Sequence, residues 1–467
     1  MKKNTFALLF GNRGFFPGEV IARSRDEMCA AVARVGAEAL CMDTGLTRYG
    51  AVETREEGEI FANFLKEHEG EYDGLIISLP NFGDENGIKE AIKDVKVPIL
   101  LQAYPDEIDK LDFANRRDAF CGKLGLCAVL KQMKTKFVNT ESFTVDPKSD
   151  EFTKELIKFS AICRIVERMK HMRIAVLGAR TTAFKSVRFD EGALEARGCD
   201  VETLDMTELF AKMRNISDDD PRIAEWESEI RAISDVSDVP RYAIINQAKL
   251  GIAMEEIREQ MQIDVSCIRC WSELQYEYKI APCTVMGVLN KRGTPVVCET
   301  DVTNAPAMLA LALASGTGVG CLDVNNNYGT DPEKCILFHC GPLPIDLLCG
   351  KGHMEEHKMF TKTQGVNCSW GVNVGKIKPG TVTICGMRTE NGEARYFVEK
   401  AKVTDIELDR AFFGTYGVVE MPDLQKKLRA MSEEGFRHHV IITEGDFCDA
   451  LREALSKYLG YTEIKLS

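Results

Sequence analysis

The 467-residue chain has no apolar run near the ~20 residues that a membrane helix needs, so a membrane-spanning protein is not expected. Its N-terminal MKKNTFALLFGNRGFF pairs lysines with an apolar run too short for the roughly 7–15-residue core of a signal peptide, and reads instead as a first strand. Positive charge is not in excess. A net charge of −13 argues against a general nucleic-acid binder, which would carry a basic face. Paired CxxC motifs are missing: Cys267 and Cys270 form one without a second, so they read as packing rather than a zinc site. The glycine pattern of a dinucleotide loop is absent after the apolar run ending at Gly178, so no organic cofactor is expected. Histidine is scarce, with seven in all, which gives each position weight.

What is present is an ordinary globular mix, 45% hydrophobic and 28% charged, in a chain long enough for two or three domains. The 17 cysteines are scattered, and several, such as Cys298, Cys321 and Cys385, lie inside apolar runs. They read as small buried hydrophobes in a reducing, cytoplasmic setting. Strand-like and helix-like segments alternate through the first two thirds, which predicts parallel sheets. Beyond about residue 350 short alternating runs dominate, and Asn391-Gly392 marks a hairpin turn. The expected fold is therefore α/β. Two successive doubly wound parallel-sheet domains, 1–170 and 171–345, precede a small antiparallel β-rich, barrel-like domain, 346–467.

The stretch 294–341 organises the chain. Three short apolar runs deliver Glu299, Asp323 and His339, with a helix expected over about 304–315. Strand ends are where α/β sheets place their chemistry, although acidic residues in loops are often merely solvated. Near the C-terminus, His438-His439 stands at the mouth of an apolar strand. Neighbours in a strand face opposite ways, so at most one of the pair is expected to bind a given ion. Two carboxylates with one or two imidazoles suit Mn²⁺, Co²⁺, Fe²⁺ or Mg²⁺ better than structural zinc. Such an ion can polarise a sugar carbonyl while a carboxylate moves a proton between adjacent carbons. That is aldose–ketose isomerisation; a metal-dependent aldolase or a sugar-binding protein could use a similar set. The basic loop 116–123, with Arg117 and Lys123, and the loop holding Asn12 and Arg13 offer further polar groups. Composition alone favours a solvated role for the former.

Four segments resemble the L-fucose isomerase and L-arabinose isomerase superfamily. They are Arg117–Lys123, the spacing of Glu299 and Asp323, His339 after the second acid, and the His438-His439 segment. The resemblance implies Mn²⁺ dependence (or another divalent ion), with Glu299 and Asp323 as ligands and acid–base groups and His439 as the last ligand. His339 and His438 become metal or substrate contacts, and Asn12, Arg13, Arg117 and Lys123 substrate contacts. It also implies a homo-oligomer, usually a hexamer, with sites between subunits. Asp323 matches the fucose enzymes and His339 the arabinose enzymes. The superfamily also includes isomerases of sulfoquinovose, whose sulfonate would need cationic donors such as Arg180, Lys185 or Arg188.

Overall fold

The structure is a computed structural model that describes residues 3–409 and 412–466. The chain forms two compact units, 1–167 and 168–467. In the first, five strands form an all-parallel sheet: β1 (Thr5–Phe10), β2 (Glu38–Cys41), β3 (Gly74–Leu79), β4 (Ile99–Ala103) and β5 (Val138–Asn139). Their order is β2-β1-β3-β4-β5. The strands β1 and β3 are continuous apolar runs because both faces of the sheet are covered by helices. Ala7 and Leu9 pack with Phe61 and Leu65 on one side, while Phe6 meets Phe159 of the long helix Asp150–Met169, ring centroids 5.2 Å apart.

The second unit opens with another parallel sheet, β6 (Met172–Leu177) beside β7 (Cys199–Leu204). After the two-residue β8 (Ser234–Asp235) come β9 (Val265–Ile268) and β10 (Val296–Val297), which complete the order β10-β9-β6-β7. The helix Arg241–Met261 and the helix Pro221–Ile233 cover one face around Trp226. Cys267 and Cys270 are buried there, as their setting in apolar sequence implies.

The remaining strands are β11 (Gly320–Asn327), β12 (Lys334–His339), β13 (Gly352–Glu356), β14 (Trp370–Lys376), β15 (Gly380–Glu390), β16 (Glu393–Val403), β17 (Thr415–Glu420), β18 (His439–Glu444) and β19 (Thr462–Glu463). Six of them run antiparallel in the order β16-β15-β18-β11-β12-β17. Pairing of Lys402 with Glu420 and Val403 with Val419 joins β16 to β17, so the ribbon closes on itself. Closure leaves no free edge within the six strands. Leu322, Leu337, Val382, Ile384, Phe397, Val419, Val440 and Ile442 fill the core of this barrel. At the β15–β16 turn, Asn391 (φ 53°) and Gly392 (φ 77°) both take the left-handed conformation that a two-residue hairpin needs.

Two expectations are corrected here. The runs ending at Asp323 and His339 are not parallel strands of the preceding α/β layer but barrel strands, and β8 from that layer joins the same sheet beside β13. The expected border at 345 therefore does not coincide with a change of sheet. Strand periodicity alone does not distinguish the two partnerships, because a strand buried on both faces reads as the same apolar run in either. Nor does Asp323 end its strand. The strand β11 continues to Asn327 through an irregularity between Val324 and Asn326.

Candidate metal-binding and catalytic site

The carboxyl ends of the parallel strands in the second unit carry one half of the site. After β10 the backbone turns sharply. Glu299 and Thr300 adopt φ of 57° and 54°, a left-handed conformation rare for residues with a side chain. Such strain persists where surrounding contacts enforce it, often at working sites. Here the indole of Trp271, just beyond β9, donates from Nε1 to Glu299 Oε1 at 3.0 Å. That contact leaves Oε2 facing the histidines.

The barrel rim supplies the other half. Asp323 and His439 are direct cross-strand partners on β11 and β18. Period-two alternation puts their neighbours Leu322 and Val440 in the barrel core and these two side chains on the opposite face. His439 Nε2 lies 3.0 Å from Glu299 Oε2 and 3.5 Å from Asp323 Oδ1. Neither approach has the direction of a hydrogen bond, and His439 Nε2 and Asp323 Oδ1 are both buried without one. His339 ends β12, buried, with its ring centroid 5.9 Å from that of His439. Ligand atoms of Glu299, His339 and His439 lie within 4.8 Å of one another, as do those of Asp323, His438 and His439. His438 is the exposed member of its pair, with Nε2 3.9 Å from Asp323 Oδ1. Opposite-facing alternation does not separate the two histidines, because β18 begins at His439 and His438 precedes it.

Behind His439 stands a residue the sequence reading does not single out. Asp301, fully buried, takes His439 Nδ1 at 2.9 Å on Oδ2. It also accepts from Arg437 Nη1 (2.8 and 3.1 Å), Thr303 Oγ1 (2.9 Å) and Asn304 Nδ2 (2.7 Å). Burial pushes the Asp301 carboxyl up, but Arg437 and His439 outweigh it and hold the group well below the usual range. An ionised carboxylate only accepts, so His439 carries its neutral-state proton on Nδ1 and turns the lone pair of Nε2 toward Glu299 and Asp323. Arg437 also donates from Nε to Ser186 O at 3.0 Å, tying the loop that follows β6 to the site. From that loop Phe184 packs on Trp271, His438 and His439, with centroids 5.6, 5.9 and 6.3 Å apart.

The electrostatics ask for a cation. Burial pushes the His439 imidazole down, yet Asp301 and Glu299 carry it up to about 10. Burial likewise opposes His339, which Cys340 and Asp323 raise to about 9. Glu299, pushed up by burial, is held below the ordinary carboxylate range by His439, His339 and Trp271. His438, farther out, is lowered by burial and by His439. Two carboxylates and an imidazole lone pair, converging with unsatisfied acceptors, form a group that could hold a metal ion.

The other expected site residues lie in the first unit, at the carboxyl ends of its strands. Asn12 follows β1 and donates to Glu53 Oε2 (2.6 Å), and Asn81 after β3 donates to Asn12 Oδ1 (2.7 Å). Arg13 stacks on Phe82, its guanidinium carbon 4.2 Å from the ring centroid. Arg117 is buried over Tyr104 at 4.8 Å and donates to Pro80 O at 2.9 Å. Lys123 is not a loop residue but lies inside the helix Ala119–Gln132 and is fully buried. Its ammonium donates to Thr140 Oγ1 (3.0 Å) and Phe143 O (2.8 Å), and burial lowers it to about 8. The expected solvated character of this segment is thus corrected for two of its cations: Arg117 and Lys123 are buried, while Arg116 is exposed and pairs with Asp118.

Comparison with known proteins fits this geometry. Residues 7–170 match the fucose/sulfoquinovose isomerase N-terminal domain, and residues 337–465 the L-fucose isomerase C-terminal domain. Curated sulfoquinovose isomerases of Priestia aryabhattai and Priestia megaterium are each 21% identical over 317 residues, 66% of this chain and 68% of theirs. Among solved structures, a putative two-component response regulator/GGDEF domain protein aligns at 10% identity and a TM-score of 0.23, over 63% of this chain and 82% of that one, too weak to carry an argument. With matched domains at both ends of the chain, it belongs to the fucose isomerase-like superfamily of aldose–ketose isomerases.

Proposed function

We propose that the protein is a metal-dependent ketol-isomerase of a monosaccharide that works through an enediolate, with Glu299, Asp323 and His439 holding the ion. One observation carries this reading: His439 Nε2, buried and without a hydrogen bond, faces Glu299 and Asp323 while Asp301 holds its other nitrogen. The divalent ion, when bound, supplies Lewis-acid polarisation of the sugar carbonyl. The residues of the chain do the rest. Glu299 and Asp323 approach from different secondary structures, so a sugar's two reacting carbons can lie between them. One carboxylate removes the proton from the hydroxyl-bearing carbon, and a carboxylate returns it to the neighbour. Trp271 holds one Glu299 oxygen, which leaves the other for the proton or the ion. Phe184 and Trp271 cover this face and reduce access of water, which strengthens each charge interaction inside.

The polar groups Asn12, Arg13, Arg117 and Lys123 are assigned to the substrate side of a homo-oligomer, with a hexamer as the expected form. Arg117 and Lys123, being buried, would act through Pro80 and Phe143, whose carbonyls they hold. The test is proton–deuterium exchange at C2 of L-fucose, L-arabinose, D-glucose and sulfoquinovose with Mn²⁺-loaded protein. Chelator-sensitive exchange on one of them supports the reading. Cleavage into smaller carbonyl compounds would establish an aldolase instead, and tight sugar binding by protein indifferent to metal would point to a binding protein.

A second reading concerns the substrate. Two curated relatives are sulfoquinovose isomerases, which favours an anionic sulfosugar here. Exchange with sulfoquinovose at a rate at least about tenfold above that with glucose would decide for it.

A further inference from the structure

The two buried histidines of the site make opposite hydrogen bonds through the same ring atom. His439 Nδ1 meets the Asp301 carboxylate, which can only accept, so the proton lies on Nδ1 and Nε2 offers a lone pair. His339 Nδ1 meets the backbone N–H of Cys340 at 2.9 Å. A backbone amide can only donate, so His339 keeps its lone pair on Nδ1 and its proton on Nε2. One ligand atom each of Glu299, His339 and His439 lies within 4.8 Å of the others; with Nδ1 engaged by the backbone, Nε2 is the nitrogen left for that cluster, and it bears hydrogen. An imidazole N–H does not ligate a metal.

We infer that His339 is not a ligand of the ion but a hydrogen-bond donor to a substrate oxygen, standing beside an ion held by Glu299, Asp323 and His439. The geometry thus divides the labour between two imidazoles whose centroids are 5.9 Å apart. One binds metal. The other binds the sugar through its hydroxyl or the oxyanion that develops on it, where a fixed donor gains strength as charge builds. His339 also departs from the ligand role that its arabinose isomerase-like position implies.

This inference rests on the metal-assisted reading, and the experiment separates the two. Mn²⁺ binding is followed by electron paramagnetic resonance of the free ion in wild type, His339→Leu, His339→Gln and His439→Gln, each checked for folding by circular dichroism. Expected is a Kd within about threefold of wild type for both His339 variants, and a loss of about 100-fold or more for His439→Gln. Glutamine can offer N–H from a similar position, so exchange at the sugar C2 is expected to fall about 10²-fold in His339→Leu and to recover in part in His339→Gln. That exchange is measured on whichever of L-fucose, L-arabinose and sulfoquinovose wild type turns over fastest. Loss of Mn²⁺ from folded His339→Leu to the extent seen in His439→Gln would overturn the inference and leave the metal reading standing. Should His339→Leu not fold, loss of Mn²⁺ from His339→Gln would decide the same way. Wild type that binds no Mn²⁺ would overturn both.

Discussion

Each unit buries a polar cluster, and the two clusters differ in whether they close. In the first unit the groups answer one another: Asn81 donates to Asn12, Asn12 to Glu53, Ser78 Oγ to Gln102 (2.6 Å), Gln102 to Val145 O (2.8 Å), and Lys123 to two oxygens. In the second unit the chain Arg437–Asp301–His439 is satisfied at its rear and open at its front, where His439 Nε2 and Asp323 Oδ1 have no hydrogen bond. Buried polar groups are ordinarily paired because an unpaired one costs about 1–3 kcal/mol. A closed network needs nothing more. An open one is completed when a ligand arrives, which is why the proposed chemistry is assigned to the front of the second cluster and a supporting role to its rear.

The sharpest way to break this comparison is to alter the open front. Glu299→Gln and Asp323→Asn keep shape and remove the base; each is expected to lower kcat on the order of 10²–10⁴-fold in steady-state isomerisation with little change in thermal midpoint. Unchanged activity in either would remove that residue from the mechanism. Next comes the rear. Asp301→Asn leaves Arg437 buried without its counter-charge, so a loss of about 3–5 kcal/mol of stability in urea unfolding is expected, together with about 10–100-fold weaker Mn²⁺ binding. A variant that lost stability alone would make Asp301 a structural partner of Arg437 and nothing more. Trp271→Phe deletes one hydrogen bond to Glu299 but keeps the aromatic wall; the expected effect is a fall in kcat of about fivefold with KM little changed, since a single net hydrogen bond is worth roughly 1 kcal/mol.

The closed cluster is probed through pH. Lys123 titrates near 8 in the folded protein because burial disfavours its charge, below its ordinary value of 10.5. Between these values the unfolded chain binds more protons, so wild-type stability rises with pH across about 8 to 10.5. Below pH 8 both states are protonated and the full cost of burying the charge is present, on the order of 3 kcal/mol. The stability of wild type relative to Lys123→Met should therefore improve as pH rises through that window. A gap independent of pH would mean that Lys123 stays charged throughout.

Much of the architecture is legible in the sequence because periodicity and turn chemistry are local. The Asn391-Gly392 hairpin follows from a few adjacent residues. Of the residues that converge at the front, the histidines are legible because their type is rare, with seven in all, and Glu299 and Asp323 because each follows a short apolar run. The rear is not legible. Asp301 is one acid among 72 acidic residues, and what sets it apart is contact with Arg437 and His439, 136 and 138 residues away. Trp271 and Phe184 are equally silent, since an aromatic residue after a strand reads as packing until its neighbour across the sheet is known. The partnership of β11 and β12 with the barrel is likewise a long-range fact, and strand periodicity carries no information about it.

The closed barrel has a consequence for how the site is made. Asp323 and His439 meet only when β11 has paired with β18, 116 residues further along the chain, and Glu299 reaches them from outside the barrel. Chain segments this far apart pay their loop-closure entropy late, and such topologies fold slowly. On the proposed function, a divalent ion would find no site in the early folding chain. It should act as a latch rather than a template: Mn²⁺ is expected to leave the refolding rate unchanged and to slow unfolding, a kinetic asymmetry that stopped-flow fluorescence with and without the ion would read directly.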